Sequence, residues 1–281
     1  LRAADWPAGA HLIAFDREAL DLGDRQTVAA RVAEVAPDVV VNAAAYTAVD
    51  RAEDEPETAY RVNRDGPAAL AAACKDSGAA LVHISTDYVF DGTKDGPWTP
   101  EDAVRPLGTY GASKAAGEDA VRASVDRHVI LRTAWVHAAH GHNFVRTMLK
   151  HGAQKDQLKV VGDQVGGPTA ADDIAAALVR IADQIVQGQT HWGTYHFCGA
   201  PMASWYDFAQ AVFDRAEPVW GRRPEVAQIT SAEWPTPVTR PANSVLDCMS
   251  LKADYGIEQP DWQARLTTIV ARLIASHEGK V

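Results

Sequence analysis

The feature that most constrains the fold of this chain is a regular alternation of short apolar runs with longer helical stretches. The apolar runs predict β-strands at 11–16 (HLIAFD), 38–45 (DVVVNAAA), 80–85 (ALVHIS) and 128–136 (HVILRTAWV). The spacing of apolar and alanine residues between them predicts helices at 25–37, 56–78 and about 113–124. Strands that alternate with helices build a parallel sheet covered on both faces. The pattern therefore predicts an α/β fold with a doubly wound parallel sheet.

Three of these predicted strands end in residues that are unusual for a buried strand. Asp16 closes the first, the small residues Ala43–Ala45 close the second, and Ser85–Thr86 close the third. The carboxyl ends of parallel strands meet at one edge of a sheet, where ligands of open α/β sheets bind. Buried hydroxyls are costly unless a partner uses them. We therefore expect a ligand site at this edge.

The strand and helix pattern becomes less regular after about residue 140. A clear helix is predicted at 171–186, a short strand at 194–199 and a last helix at 262–276. A Pro-rich segment, EWPTPVTRPANSVLD, occupies 233–247. These segments predict a smaller α/β lobe that is interleaved with the sheet domain.

The amino-terminal sequence, LRAADWPAG, lacks two features that a dinucleotide-binding sheet normally begins with. A Rossmann-type sheet opens with a strand and a Gly-rich turn that holds the pyrophosphate. Neither is present in this segment, so we expect the sequence to lack the first strand and the Gly-rich loop; the alternative is a fold that never had them.

Composition and charge exclude several classes of protein. The chain has 281 residues with a formal net charge of −10, and an acidic balance argues against a nucleic-acid partner. No apolar run approaches the roughly 18 residues that span a bilayer, so no membrane association is expected. The chain has three cysteines, Cys74, Cys198 and Cys248, which are widely spaced and contain no CxxC pair. This pattern is typical of reduced thiols in a cytoplasmic protein.

The candidate catalytic residues are Thr86, Tyr110 and Lys114. Tyr110 and Lys114 stand four residues apart in TYGASKAAGED, which places them on one helix face, one turn apart. A nearby ammonium is expected to stabilise a phenolate, so the tyrosine can exchange a proton with a developing alkoxide. Thr86, at a strand end, is expected to hydrogen-bond the same oxygen. A YxxxK pair alone is also common on exposed helices; its place in this strand and helix pattern favours catalysis.

These three residues, and several longer motifs, resemble the extended short-chain dehydrogenase/reductase superfamily. Within it, the chain resembles the dTDP-4-dehydrorhamnose reductase family through the following segments: NAAAYTAVDRAE, HISTDYVFDG, PLGTYGASKAAGE, ILRTAWVHA, NFVRTML, VGDQVGGPT and PTPVTRPANSVLD. The last two motifs are the most specific. The resemblance implies NAD(P)H-dependent reduction of the C4 keto group of dTDP-4-dehydro-L-rhamnose to dTDP-L-rhamnose.

The resemblance also implies roles for individual residues and domains. It implies a dinucleotide-binding domain at 1–141 plus about 163–195, and a substrate-binding lobe at about 142–162 plus 196–281. The implied cofactor-binding residues are Asp16, Asp21, Leu22, Ala45, Tyr46, Thr47, Tyr110 and Lys114. The implied substrate-binding residues are Thr86, Asp87, Trp135 and Arg240. Trp135 could instead belong to the core, and Arg240 could be a surface residue beside prolines.

The cofactor and the partners follow from the same resemblance. Either NADH or NADPH is implied, and Asp16 at the ribose position favours NADH because a carboxylate repels a 2′-phosphate. Mg²⁺ and a homodimer are compatible with the family, but no metal ligand can be named. Two other functions remain open. One is a related nucleotide-sugar epimerase or dehydratase, although Asp87 is not followed by the Glu expected of a dehydratase. The other is a non-catalytic regulatory subunit that keeps the fold.

Overall fold

The computed structural model describes residues 1–278 of the chain. Its α-helices are α1 Arg25–Val35, α2 Arg51–Asp54, α3 Pro56–Tyr60, α4 Gly66–Ser77, α5 Thr109–Ser124, α6 Phe144–Gln154, α7 Ala171–Val186, α8 Trp205–Trp220, α9 Met249–Tyr255 and α10 Trp262–Glu278. Its strands are β1 Val39–Asn42, β2 Ala80–Thr86, β3 His128–Thr133, β4 Val136–His137, β5 Gln157–Val161, β6 Val165–Gly166, β7 Thr169–Ala170, β8 Gly193–His196, β9 Ala203–Ser204, β10 Glu225–Ile229 and β11 Asn243–Ser244. A π-helical turn, Arg61–Asp65, joins α3 to α4.

The main sheet is parallel and has the strand order β1-β2-β3-β8. Thr86 at the end of β2 is paired with Thr133 at the end of β3, and Asn42 at the end of β1 is paired with His83. The carboxyl ends of these strands therefore meet at one edge. This confirms the predicted α/β class and the parallel sheet.

Helices cover both faces of this sheet. Leu81 and Ile130 pack on one face with α1, α4 and α5, whereas Val82 and Leu131 pack on the other with α7 and α9. Successive residues of a strand point to opposite faces, so a strand buried on both faces reads as a continuous apolar run. This explains why the run ALVHIS is mostly apolar, with His83 and Ser85 as its polar residues.

The predicted strand at 11–16 is wrong. Residues 11–16 form no regular element, and within residues 1–278 the strand β1 pairs with β2 alone. Leu12, Ile13 and Phe15 remain 42%, 56% and 39% exposed. An apolar run forms a strand only where a neighbouring strand accepts its backbone hydrogen bonds, and no described strand lies beside this segment.

A second core lies outside the main sheet and is rich in aromatic side chains. It joins buried residues of α6, α8 and α10, including Val145, Phe208, Phe213 and Leu266. The short strand pairs β5–β10 and β6–β11 lie in the same part of the chain. The domain boundaries given above remain a prediction.

Candidate active site

The candidate site begins where β2 ends. Thr86 is extended, and its side-chain oxygen accepts the Tyr88 N–H at 3.2 Å, which starts a 3-10 turn at Asp87–Val89. The Thr86 hydroxyl also donates to Oδ1 of Asp87 at 3.1 Å. Thr86 and Asp87 are 6% and 3% exposed. The Thr86 hydroxyl at the end of this apolar strand thus caps a turn and, with Asp87, provides buried polar groups at the site.

Helix α5 starts at Thr109, four residues before the predicted start. The carboxylate of Glu53 accepts the Thr109 N–H at 2.6 Å and the Thr109 hydroxyl at 3.0 Å. This carboxylate accepts a free N–H of the first turn, and its negative charge interacts favourably with the positive end of the helix dipole. Glu53 and Thr109 are 56 residues apart in the chain, so the local sequence does not predict their contact. It places Tyr110 in the first turn of α5.

A glycine brings α5 close to the end of β2. A Cβ at Gly111 would overlap the carbonyl oxygen of Tyr88. The ring of Tyr110 consequently lies edge-on to the ring of Tyr88, with centroids 5.5 Å apart and planes inclined by 72°. The sequence predicts the helix face of Tyr110, and Gly111 determines how near that face comes to the strand.

Tyr110 keeps its proton more firmly than a free tyrosine. Burial raises the pKa of the Tyr110 phenol, the hydrogen bond from Thr86 offsets a part of the rise, and the nearby Asp87 carboxylate adds to it. The four-residue spacing instead predicts that the nearby lysine lowers the pKa of this phenol. A phenol that stays protonated at neutral pH is suited to give a proton rather than to take one.

Lys114 lies one turn further along α5 and is 2% exposed. Its amine donates to the backbone carbonyl of Ile84 at 2.7 Å and lies 3.5 Å from Nε2 of His83. Burial lowers the pKa of the Lys114 amine to about 8, and the Glu118 carboxylate on the same helix counteracts this. In this structure the amine is directed at the β2 backbone, which explains why it does not lower the pKa of the Tyr110 phenol.

The segment that follows β1 is held by a residue that sequence analysis missed. Asn63, 1% exposed in the π-helical turn, accepts the Tyr46 N–H at 2.8 Å and donates to its carbonyl at 3.0 Å. The same amide donates to Ser113 of α5 at 3.0 Å. Asn63 therefore ties the segment of Ala45, Tyr46 and Thr47 to the helix that carries Tyr110.

Two small residues leave an open surface beside this tied segment. Ala43 and Ala44 are exposed although they directly follow the buried Asn42 at the end of β1. Small side chains at such a place let a ligand approach the backbone closely. These residues, together with the buried amine of Lys114, fit the shape and polarity that a dinucleotide requires at the end of a parallel sheet.

The other predicted cofactor residues lie around the start of α1 and α4. Asp16 does not end a strand; it lies in an exposed turn, where Oδ1 accepts the Ala19 N–H at 3.0 Å. Asp21 accepts the Gly23 N–H at 2.9 Å. Leu22 is buried, and a Cβ added at Gly66 would lie 2.8 Å from the Cβ of Leu22. The structure thus places Leu22 against the first residue of α4 and leaves Asp16 exposed.

Asp87 and Arg240 bring charge to the same area. Burial raises the pKa of the Asp87 carboxyl to about 6, although the side chains of Ser244 and Thr86 act in the opposite direction. Arg240 holds both carboxylate oxygens of Asp50, at 2.7 and 2.8 Å, and lies 6.0 Å from the ring centroid of Tyr88. Arg240 is therefore paired with a carboxylate and is no isolated surface residue.

One nitrogen of Arg240 makes no hydrogen bond within normal distance, and its nearest polar neighbour is the Tyr88 phenol. This nitrogen, Nη1, is buried without a hydrogen-bond partner. A buried N–H of a guanidinium is costly unless it is satisfied, which makes this atom a candidate donor to an anionic group. The Tyr88 ring neighbours both sides of the site, 6.0 Å from the Arg240 guanidinium and 5.5 Å from the Tyr110 ring.

Trp135 lies after β3 in a backbone conformation that is rare for a large residue. Its φ is 49°, and its ring stacks on Trp205 with centroids 3.5 Å apart and planes inclined by 6°. A Cβ at Gly166 would lie 2.5 Å from Cε2 of Trp135. The indole is thus fixed between Gly166 and Trp205, and it remains partly exposed.

Neither a metal cluster nor a membrane-spanning helix is found in the described part of the chain. Within residues 1–278, His, Cys, Asp and Glu side chains do not gather in groups of three or more that could hold a metal ion. Among the helices of the same residues, none is both long and apolar enough to cross a bilayer.

Comparison with known proteins identifies the family. The model of the RmlD substrate binding domain family matches residues 1–275. The dTDP-4-dehydrorhamnose reductase of Sinorhizobium fredii is 44% identical over 96% of this chain and 91% of its own length. The protein of that name from Aggregatibacter actinomycetemcomitans is 45% identical over 92% of this chain and 90% of its own.

Solved structures give the same result. A dTDP-4-dehydrorhamnose reductase from Clostridium acetobutylicum has a TM-score of 0.87 and 38% identity, covering 95% of this chain and 92% of that one. The enzyme from Bacillus anthracis, in complex with NADP, has a TM-score of 0.82 and 33% identity, covering 93% and 89%. The chain belongs to the RmlD substrate binding domain family, among whose relatives are the dTDP-4-dehydrorhamnose reductases.

Proposed function

We propose that this protein is a dTDP-4-dehydrorhamnose reductase that converts dTDP-4-dehydro-L-rhamnose to dTDP-L-rhamnose with NADH or NADPH. The observation that carries the proposal is the meeting of Thr86, Tyr110 and Lys114 at the carboxyl end of β2. Relatives of that name, 44% and 45% identical over nearly the whole chain, support it.

The cofactor is expected to lie along the carboxyl edge of the sheet. Lys114, Ala45, Tyr46 and Thr47 would hold it there, and the complex of the Bacillus anthracis relative with NADP supports the choice of a nicotinamide cofactor. When bound, the reduced nicotinamide supplies a hydride to the carbonyl carbon of the sugar. Asn63 keeps the Tyr46 backbone in place, so the edge that receives the cofactor is rigid before binding.

Tyr110 is the proposed proton donor. As the C4 carbonyl becomes an alcohol, its oxygen gains negative charge and needs a proton. A tyrosine is protonated at neutral pH, and burial raises the pKa of the Tyr110 phenol further, so its proton is available for this oxygen. Thr86 lies beside the phenol, and its hydroxyl, which now donates to Asp87, would turn to donate a second hydrogen bond to the same oxygen.

Arg240, Asp87 and Trp135 are proposed to bind the nucleotide sugar. The buried Nη1 of Arg240 lacks a partner and is suited to a phosphate oxygen of the diphosphate. Asp87 offers a buried carboxyl to sugar hydroxyls. The partly exposed Trp135 ring offers an apolar edge, and its stacking on Trp205 keeps it from turning away.

The proposal is tested by mixing the purified protein with NADPH or NADH and dTDP-4-dehydro-L-rhamnose. Loss of the reduced-nicotinamide absorbance, with formation of dTDP-L-rhamnose seen by NMR, is expected. Bound cofactor without turnover would support a regulatory subunit instead. Turnover only with a different nucleotide sugar would support a related enzyme of the superfamily.

Three further expectations concern the assembly and its requirements. A homodimer is checked by light scattering during gel filtration. Dependence on Mg²⁺ is checked by assaying with and without EDTA. A cytoplasmic location, without a nucleic-acid or membrane partner, is checked by cell fractionation.

A further inference from the structure

A buried hydrogen-bond chain approaches Lys114 from the sheet and has no part in the proposed function so far. It consists of Asn42 at the end of β1 and His83 in the middle of β2, which are 4% and 0% exposed. Nδ2 of Asn42 lies 3.0 Å from Nδ1 of His83, and Nε2 of His83 lies 3.5 Å from the Lys114 amine. Two polar residues inside a strand core require an explanation beyond packing.

The orientation of the Asn42 amide is fixed by the backbone. The Ala44 N–H donates to Oδ1 of Asn42 at 3.1 Å, and a backbone N–H can only donate. The side-chain oxygen must therefore face Ala44, and the amide NH₂ must face His83. Nδ1 of His83 is consequently the acceptor in this pair.

The polarity of the next contact follows from the chemistry of imidazole. A neutral imidazole carries one N–H and one acceptor nitrogen, so His83 with Nδ1 as acceptor carries its proton on Nε2. Burial, with the nearby Lys114 and Arg122, lowers the pKa of His83 well below its usual value and keeps the ring neutral. The ring thus directs an N–H at the Lys114 amine.

An ammonium and an amine respond to that N–H in opposite ways. An ammonium has three N–H donors and no acceptor, so the His83 N–H opposes it. A neutral amine can accept from His83 with its lone pair while it still donates to Ile84, at 2.7 Å. We propose that His83, with its tautomer set by Asn42, is a positioning residue that controls the protonation state and direction of Lys114.

Other charged groups near Lys114 act from α5 and β3. Glu118 favours the ammonium, but its carboxylate is already paired with Arg132 from β3 and Arg122 from its own helix. Tyr110 lies one turn away on α5 as an uncharged phenol at neutral pH. Of the two groups that contact the Lys114 amine, the Ile84 carbonyl can only accept, whereas the hydrogen-bond direction of His83 depends on its tautomer at unchanged net charge.

The inference rests on the proposed function for its kinetic test, but its first test needs no turnover. Protein labelled with ¹⁵N-histidine reports the tautomer of His83 by NMR, and the signal is assigned by its loss in His83→Gln. A neutral ring protonated on Nε2 at pH 7 is expected. A ring protonated on Nδ1, or on both nitrogens, would overturn the inference whether or not the protein reduces a keto sugar.

The kinetic test uses a matched pair of variants. An asparagine amide reaches the place of Nδ1, whereas a glutamine amide reaches the place of Nε2. His83→Asn should therefore keep the contact with Asn42 and lose the N–H towards Lys114, and the ammonium should persist to higher pH. We expect the alkaline limb of the kcat/KM profile to move up by about one pH unit in His83→Asn. In His83→Gln the alkaline limb should stay at nearly the same pH as in the original protein.

Both outcomes are distinguishable from a merely structural role. A structural role would lower kcat or stability in both variants without moving the limb, and that result would overturn the inference. Asn42→Asp supplies an acceptor in place of the NH₂ and should move the His83 proton to Nδ1. If the keto sugar is not reduced, the pH dependence of NADPH affinity replaces the kinetic profile.

Discussion

Two buried ionisable residues, Glu118 and Lys114, lie one turn apart on α5 and differ in whether an opposite charge pairs with them. Glu118, 0% exposed, accepts from Nε and Nη2 of Arg132 at 2.9 and 2.7 Å, and from Arg122 at 2.6 Å. Lys114, 2% exposed, has no carboxylate within hydrogen-bond distance among the described residues and donates to a backbone carbonyl. One charge is fully paired and the other is left nearly alone.

The pKa of each group is lowered, but the consequence for its charge is opposite. Burial would raise the pKa of the Glu118 carboxyl, but Arg132 and Arg122 hold it below its usual value, so Glu118 stays charged. Burial lowers the pKa of the Lys114 amine to about 8, so that it can change its charge near neutral pH. A fully paired charge organises the structure, and an unpaired one remains available for chemistry.

The largest effect is expected from breaking the paired charge. Arg132→Met leaves Glu118 buried with only Arg122, and should lower the free energy of unfolding by about 3–5 kcal/mol. Urea unfolding measures this at pH 7. Arg31→Met, which breaks an exposed pair with Glu34, is the control and should change little.

The same pair predicts a pH dependence. A carboxyl with a lowered pKa stabilises the fold above its unfolded pKa, and this contribution is lost as pH falls through the folded pKa. The difference between Arg132→Met and the original protein should therefore shrink in acid. A difference that stays constant down to the acid transition would show that Arg132 acts through packing on Phe90 rather than through Glu118.

The next largest effect concerns the phenol beside the unpaired charge. Tyr110→Phe should keep the fold and cofactor binding and reduce turnover by roughly 10²-fold or more, because the proton donor is lost. Steady-state assays with the keto sugar measure this. Tyr195→Phe, which removes a phenol that is bonded to Asp254, is the control. A Tyr110 variant with most of its activity would contradict the proton-donor role.

A smaller effect of opposite sign is expected at Lys114. Lys114→Met removes an amine that is costly to bury, and should raise the free energy of unfolding by on the order of 2 kcal/mol at pH 7 while abolishing activity. Below pH 8 Lys114 is protonated in both the folded and the unfolded state, so the full gain in the free energy of unfolding is expected there. It should shrink between about 8 and 10.5, where the unfolded lysine alone keeps its proton.

The control for this prediction is Lys252→Met, which removes an exposed lysine. It should leave stability nearly unchanged across the same pH range. If Lys114→Met lowers stability instead, the contacts with Ile84 and His83 outweigh the cost of burial, and the contrast with Glu118 is smaller than we infer.

The smallest effect is expected far from the buried charges, at the exposed turn of Asp16. Asp16→Ala should raise kcat/KM with NADPH relative to NADH by a few-fold, on the order of 1 kcal/mol, because a carboxylate near the ribose repels a 2′-phosphate. Glu18→Ala, in the same turn, is the control. An unchanged ratio for Asp16→Ala would mean that Asp16 does not face the ribose.

Local patterns predicted most of the main sheet and the helix that carries the catalytic pair. The apolar run before Thr86 and the four-residue spacing of Tyr110 and Lys114 depend on neighbouring residues only, so the sequence contains them. The strand predicted at 11–16 is wrong because a strand needs a partner as well as a pattern.

Contacts between distant residues could not be predicted in this way. Arg240 and Asp50 are 190 residues apart, and nothing around either residue indicates the other. Asn63 was missed because it lies among the charged residues of RVNRD, and His83 was missed because a single polar residue inside an apolar run gives no periodic signal. One clue was present: Asn42 is a polar residue at a buried strand end, as Thr86 is.

The glycines of α5 have a consequence for how this site can vary. A Cβ at Gly111 would overlap the Tyr88 carbonyl oxygen, and one at Gly117 would overlap that of Asn63. Main chain therefore rests directly on main chain at two points, one on each side of Lys114. Side-chain substitutions elsewhere in the molecule can reshape what the pocket accepts, but they have little leverage on the separation between the phenol and the strand.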